Sequence, residues 1–203
     1  MSASNPSTSK NAEDYVSKIC ELRERYEVAD GFAREVSEFT SEIAIPAHNE
    51  LRYAGHHLLQ AFDPQSSVSE EQLRRANSHC ERAMYEAAEA GIASALDSIN
   101  TFKSDYRNVV IREVVSNFSD ILTLARNAQT LLKQGRAGKA PEEAASEYMD
   151  MFRALRTQVD ALDDSRDDLN IKLKQERRNS RLFIIGLLAL IAAVLRLVYP
   201  STS

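Results

Sequence analysis

Residues 182–199 read Leu-Phe-Ile-Ile-Gly-Leu-Leu-Ala-Leu-Ile-Ala-Ala-Val-Leu-Arg-Leu-Val-Tyr, and sixteen of these 18 residues are apolar. As a helix rising 1.5 Å per residue the run would reach roughly 27 Å, close to the ~30 Å hydrocarbon core of a bilayer. An interfacial amphipathic helix needs a polar face, and none exists between Leu182 and Leu195. A buried core helix needs apolar cover on all sides, which few chains of 203 residues provide. The expectation is therefore a transmembrane helix. Leu182, Ile185, Gly186, Leu190, Ala193, Arg196 and Tyr199 mark its length. Arg196 would snorkel to the far headgroups, Tyr199 would sit at that interface, and Pro200 would end the helix. Gly186 and Ala193, with Ala189, give it a small-residue face on which a second span packs.

Charge sets the orientation. From position 171 onward the chain has six basic residues and one acid, a net +5; the other 170 residues hold 19 bases and 29 acids, a net −10. Five of the basic residues, Lys172, Lys174, Arg177, Arg178 and Arg181, crowd the N-terminal flank of the apolar run, and none follows Tyr199. The positive-inside rule then puts the preceding chain in the cytosol, with residues 200–203 as a short exposed tail. The basic segment 171–181 would attract anionic headgroups, so the lipid bilayer is the first expected partner. The acidic remainder does not favour nucleic acid over its general surface.

Six Gly, five Pro and no Trp, with abundant Ala, Glu, Leu and Arg, argue for helices and against a sandwich or barrel. The two cysteines, Cys20 and Cys80, exclude a disulfide scaffold. Residues 1–11 contain five Ser/Thr and no apolar core, so they read as a flexible tail rather than a secretory signal. Residues 12–170 read as a cytosolic bundle. An apolar stripe from Tyr15 through Ile19, Leu22, Tyr26, Ala29, Phe32, Val36 and Phe39 to Ile43 predicts a first helix over 12–44. Pro46 opens a short second one, over 46–62, with Leu51, Gly55, Leu58 and Phe62 as its apolar face. Ser69 and Gln72 form a capping box for the third, whose small residues Ala76, Cys80, Ala83, Ala87, Ala90 and Ser94 permit close helix approach. Its boundary falls at Lys103-Ser104-Asp105, and a fourth helix follows with Val110, Val114, Phe118 and Ile121.

Pro141 opens the fifth. Tyr148, Phe152, Leu155, Val159, Leu162, Arg166, Leu169 and Leu173 alternate at spacings of 4 and 3, a packing seam within the bundle or a coiled coil between chains. No Gly or Pro interrupts residues 142–185, so this helix is expected to run straight into the apolar run. The fold class is thus all-α: an antiparallel bundle of four to five long helices, the last continuing as the membrane helix.

Two polar stretches bear on chemistry. His48, Glu50, Arg52, His56 and His57 crowd one short helix and read as hydrogen-bonded and intrahelical pairs. No His or Cys spacing suits zinc, no Glu-x-x-His pair suits a carboxylate-bridged metal, and no phosphate loop or nucleophile elbow occurs, so neither metal nor cofactor is expected. Arg74-Arg75-Ala76-Asn77-Ser78-His79 resembles the Arg–four residues–His motif of HEPN-type helical bundles. That resemblance implies RNA as substrate, with Arg74 stabilising phosphate charge and His79 handling the proton. It departs in its second Arg, and the five-residue step turns about 140° on a helix, so Arg74 and His79 do not share a face. The expected function is a C-terminally membrane-anchored interaction protein that self-associates or senses a protein partner. By the same resemblance it is similar to membrane-disturbing effectors of prokaryotic antiviral defence. The alternatives are a membrane-anchored ribonuclease and a plain tether.

Overall fold

The computed structural model describes residues 6–62, 69–135 and 141–198. Six α-helices and one 3-10 turn follow in order: α1 (Pro6–Thr40), α2 (Ile45–Ala61), α3 (Ser69–Asp105), the turn Ile111–Glu113, α4 (Phe118–Gly135), α5 (Pro141–Asp164) and α6 (Arg166–Val198). The described residues contain no strand.

α3 is the spine. Its 37 residues span about 55 Å and it touches every helix up to α5. α1 runs beside it in the same direction, with Lys18 bridged to Glu70 and Arg25 to Glu81. α2 runs against it, pairing His57 with Gln72 and Glu50 with His79. α5 runs with the other half of α3, from Tyr85–Tyr148 to the Arg166 guanidinium over Phe102. α4 returns between them, its Phe118 on Phe102 and its Leu131 carbonyl accepting from the Tyr148 hydroxyl. Sequence neighbours from α1 to α5 are therefore antiparallel, as expected; α1 and α2 pack on one half of α3 and α4 and α5 on the other, and α1 also meets α5 where Phe32 and Phe39 pack on Phe152.

The 4-3 row turns inward. Tyr148, Phe152, Leu155, Val159, Leu162 and Leu169 are all buried and Leu173 is half-buried, so the seam belongs to the bundle and not to a second chain. Small residues set the distance: Ala76, Cys80, Ala83 and Ala87 are fully covered, whereas Ala90 is exposed. At Gly91 the approach is tightest. A Cβ there would stand 2.5 Å from Cδ2 of Phe152, whose ring is held edge-on by Phe32 and Phe39. Gly91→Ala relieves roughly 1 kcal/mol of helix penalty but forces a boxed-in ring to move, at about 1–3 kcal/mol. A thermal melt should show the variant less stable than the parent, against the helix-propensity trend.

Several expectations are corrected. Residues 6–11 are not tail but the start of α1, where Pro6 sits in a first turn that needs no N–H from it. α1 ends at Thr40 rather than near 44: Ser41 turns left-handed at φ 56°, and the Thr40 hydroxyl donates to the Glu42 carbonyl at 2.9 Å. The core face of α2 is Ala47, Leu51, Ala54 and Ala61, while Phe62 is exposed. α4 starts at Phe118, not Val110. The β-branched run Val109-Val110-Ile111 and the pair Val114-Val115 crowd a helical backbone, and the chain makes a tight corner instead. Helix five breaks once, at Ser165, with no Gly or Pro. Its hydroxyl donates to the Leu162 carbonyl at 2.7 Å and takes over an acceptor of the helix ladder. Residues 1–5, 63–68, 136–140 and 199–203, including the expected interfacial Tyr199, lie outside the described residues.

Candidate functional site

The polar stretch of α2 divides by helical phase. Glu50 and His57, two turns apart, face α3; His48, Arg52 and His56 are exposed, with the Arg52 guanidinium over the Tyr53 ring at 5.2 Å. Against α3, His79 Nδ1 donates to Glu50 Oε2 at 2.6 Å, and His57 Nδ1 donates to the Gln72 amide oxygen at 2.7 Å. The His57 and His79 rings lie nearly parallel, 12° apart with centroids at 5.1 Å, and Tyr53 closes the group at 5.5 Å from His79. Parallel stacked rings do not aim their Nε2 lone pairs at a common point, so the pair is no chelate. Among the described residues no group of three His, Cys, Asp or Glu could hold a metal ion. What this arrangement does is join α2 to α3 through half-buried hydrogen bonds, two of them side by side. Gln72, read from sequence as a capping partner, is a cross-helix acceptor.

Arg74 stands elsewhere. It lines a groove between α1 and α3 beside Lys18, Glu21 and Asn77, while His79 faces α2. Its guanidinium is already engaged, forked onto both Glu71 carboxylate oxygens at 2.9 and 2.8 Å. That fork, with a second bond from Arg75, holds the Glu71 carboxyl down to about 2. Arg74 is 72% exposed, so the pair is screened and contributes little to stability. The two residues of the RNase-like motif are thus not assembled around one point.

The third feature is α6. Leu182, Phe183, Ile184 and Ile185 are four successive exposed residues, and four successive positions sweep nearly the whole circumference of a helix. Leu187, Leu188, Leu190 and Ile191 are exposed as well, so the bundle covers no face of this segment. Among the described residues no helix is long and apolar enough to cross a membrane. The described side chains of the apolar run end at Ala193, twelve residues or about 18 Å from its start; the helix itself continues to Val198, and Arg196 falls in that last part.

The basic segment before it also differs from the bundle. Bundle cations are mostly paired, as in Arg25–Glu81, Arg34–Asp30, Arg156–Glu35 and Arg166–Asp105. Lys172 reaches Glu113 at 2.5 Å. Lys174, Arg177, Arg178 and Arg181 are exposed and form no salt bridge with any described residue. The sequence reading missed one further group, the corner between α3 and α4. There Arg107 and Arg112 are exposed around Val110, beside an apolar pocket of about 370 Å³ over Ile111 and Phe118. No family model, no curated protein and no solved structure matches this chain.

Proposed function

We propose that this is a membrane-tethered helical interaction protein. The bundle meets a second copy or a protein partner, and the apolar end of α6 holds it at a bilayer with the bundle on the cytosolic side. The observation that carries the reading is the all-round exposure of apolar side chains on α6 from Leu182 onward, reaching 73% at Phe183. Water is a poor solvent for such a surface, and a helix with no polar face fits lipid on all sides. The side chains before it support the orientation: four cations without salt bridges to described residues, next to the apolar run, are what the positive-inside rule and anionic headgroups favour. Ile43 and Ile45, both exposed on the turn between α1 and α2, give the bundle an apolar spot for a protein contact.

The native cysteines test the topology. Cys20 is exposed on α1, whereas burial pushes the Cys80 thiol up to about 12, so little thiolate forms at pH 8. An impermeant maleimide added to intact cells should leave the protein unlabelled, and after lysis should label one site, Cys20. Denaturant should expose the second. Labelling of Cys20 in intact cells would put the bundle on the wrong side.

A further inference from the structure

We propose that the corner between α3 and α4, with Arg107 and Arg112 flanking the exposed Val110, is a docking surface for anionic lipid headgroups. The inference rests on the membrane anchorage argued above and adds a second contact made by the bundle itself.

Three observations converge on it. First, the corner is fixed to the helix that leaves the bundle. Lys172 bridges Glu113, Arg166 bridges Asp105, and the Tyr106 hydroxyl donates to Asn170 Oδ1 at 3.2 Å. The corner therefore sits at the end of the bundle from which α6 runs toward the apolar segment. Second, its charge balance is uneven. Asp105 and Glu113 are both bridged by α6 cations, and Asp163 shares Arg166. Asp120, exposed in the first turn of α4, forms no salt bridge with a described residue and stands against the three cations Lys103, Arg107 and Arg112 that line the corner pocket. Arg107 and Arg112 form no salt bridge with a described residue. Asp164, Asp167 and Asp168 lie at the junction of α5 and α6 on either side of Arg166 and form no salt bridge with a described residue. Third, Val110, 62% exposed, lines the corner pocket together with Arg107 and Arg112, and Ile171, 63% exposed, stands next to Lys172 on α6.

The distances allow contact. From Lys172 to Leu182 α6 advances ten residues, about 15 Å. The headgroup layer on one side takes up roughly 5–8 Å of that. An upright α6 leaves the corner about one Debye length, ~8 Å, above the headgroups, and ordinary helix tilts of ~20–40° bring one side of the bundle down. Attraction between Arg107, Arg112 and an anionic surface selects the tilt that lowers the corner. Each cation near such a surface strengthens the association about fivefold.

The experiment uses the full chain in nanodiscs, either phosphatidylcholine alone or with about a third phosphatidylglycerol, and reads amide hydrogen exchange. Residues 106–114 should exchange several-fold more slowly in the anionic discs. The difference should vanish in the R107Q/R112Q variant and at 0.5 M salt, and should survive Lys133→Gln on α4. Both variants change exposed residues, and unchanged exchange in α3 confirms their fold. Equal exchange in the two lipids, with protein still in the discs, overturns the docking surface and leaves the anchor standing. Protein that never enters either disc overturns the anchorage reading as well. Protection in neutral discs from 10 mM inorganic phosphate would assign the corner to a soluble anion, and protection from a single-stranded RNA would assign it to nucleic acid. Either result contradicts the lipid assignment.

Discussion

Phe152→Ala should lower the unfolding free energy by about 3–5 kcal/mol, the range for deleting a fully buried aromatic ring. The ring is fully covered and lies where three helices meet. It packs edge-on against Phe32 at 5.8 Å and Phe39 at 5.4 Å, both on α1, and it fills the space that Gly91 leaves on α3. Removing it costs the transfer of its apolar surface, two aromatic edge contacts and a cavity that α1 and α5 cannot both close. Since whole domains are stable by only about 5–15 kcal/mol, the loss is a large fraction of the total. Urea titration of the detergent-solubilised chain measures it. Leu155→Ala, equally buried but without the aromatic partners, should cost about 2–5 kcal/mol. If both variants unfold like the parent, the inward seam is wrong.

Leu190→Arg should cost about 3 kcal/mol of membrane insertion, more than a hundredfold in the balance between inserted and excluded chain. Leu190 lies near the middle of residues 182–199, as far from both headgroup layers as a side chain in this run can be. An Arg there has nowhere to snorkel, unlike Arg196 near the end of the run. Leu190→Ala keeps the segment apolar and should retain membrane association. The bundle should be indifferent to both changes, because Leu190 is exposed and touches no core residue.

The legible parts of this fold were those where one physical signal dominates. The 4-3 row of α5 showed its buried face because the apolar side chains outnumber any competing pattern, and even its polar member fits. Arg166 holds the seam position by laying its guanidinium over Phe102 and bridging Asp105 and Asp163. The end of α3 was legible at Lys103-Ser104-Asp105, where the apolar pattern lapses. The break at Ser165 was not, because a serine hydroxyl that bonds its own helix looks in sequence like any exposed helical serine. The α3–α4 corner was read as helix because its valines keep a helical spacing, while their β-branching works against the helix they outline. The α2 cluster was legible in composition, and its partition follows the helical phase of Ala47, Leu51, Ala54 and Ala61, beside which Glu50 and His57 fall. The partners they meet were not legible, because Gln72 and His79 lie on α3 and periodicity within α2 does not contain them.

The most direct test of the membrane reading is carbonate extraction of cell membranes containing the full chain, beside a chain ending at Asn170. That cut keeps Leu169, the last fully buried residue of the seam, and removes the basic segment and the apolar run. At alkaline pH peripheral proteins leave the membrane, whereas a segment buried across a ~30 Å hydrocarbon core stays. The full chain should remain in the pellet and the shortened one should appear in the supernatant with a cooperative melt. Recovery of the full chain in the supernatant would contradict the account: the apolar half of α6 would then be covered by protein, and the bundle would be no tethered module.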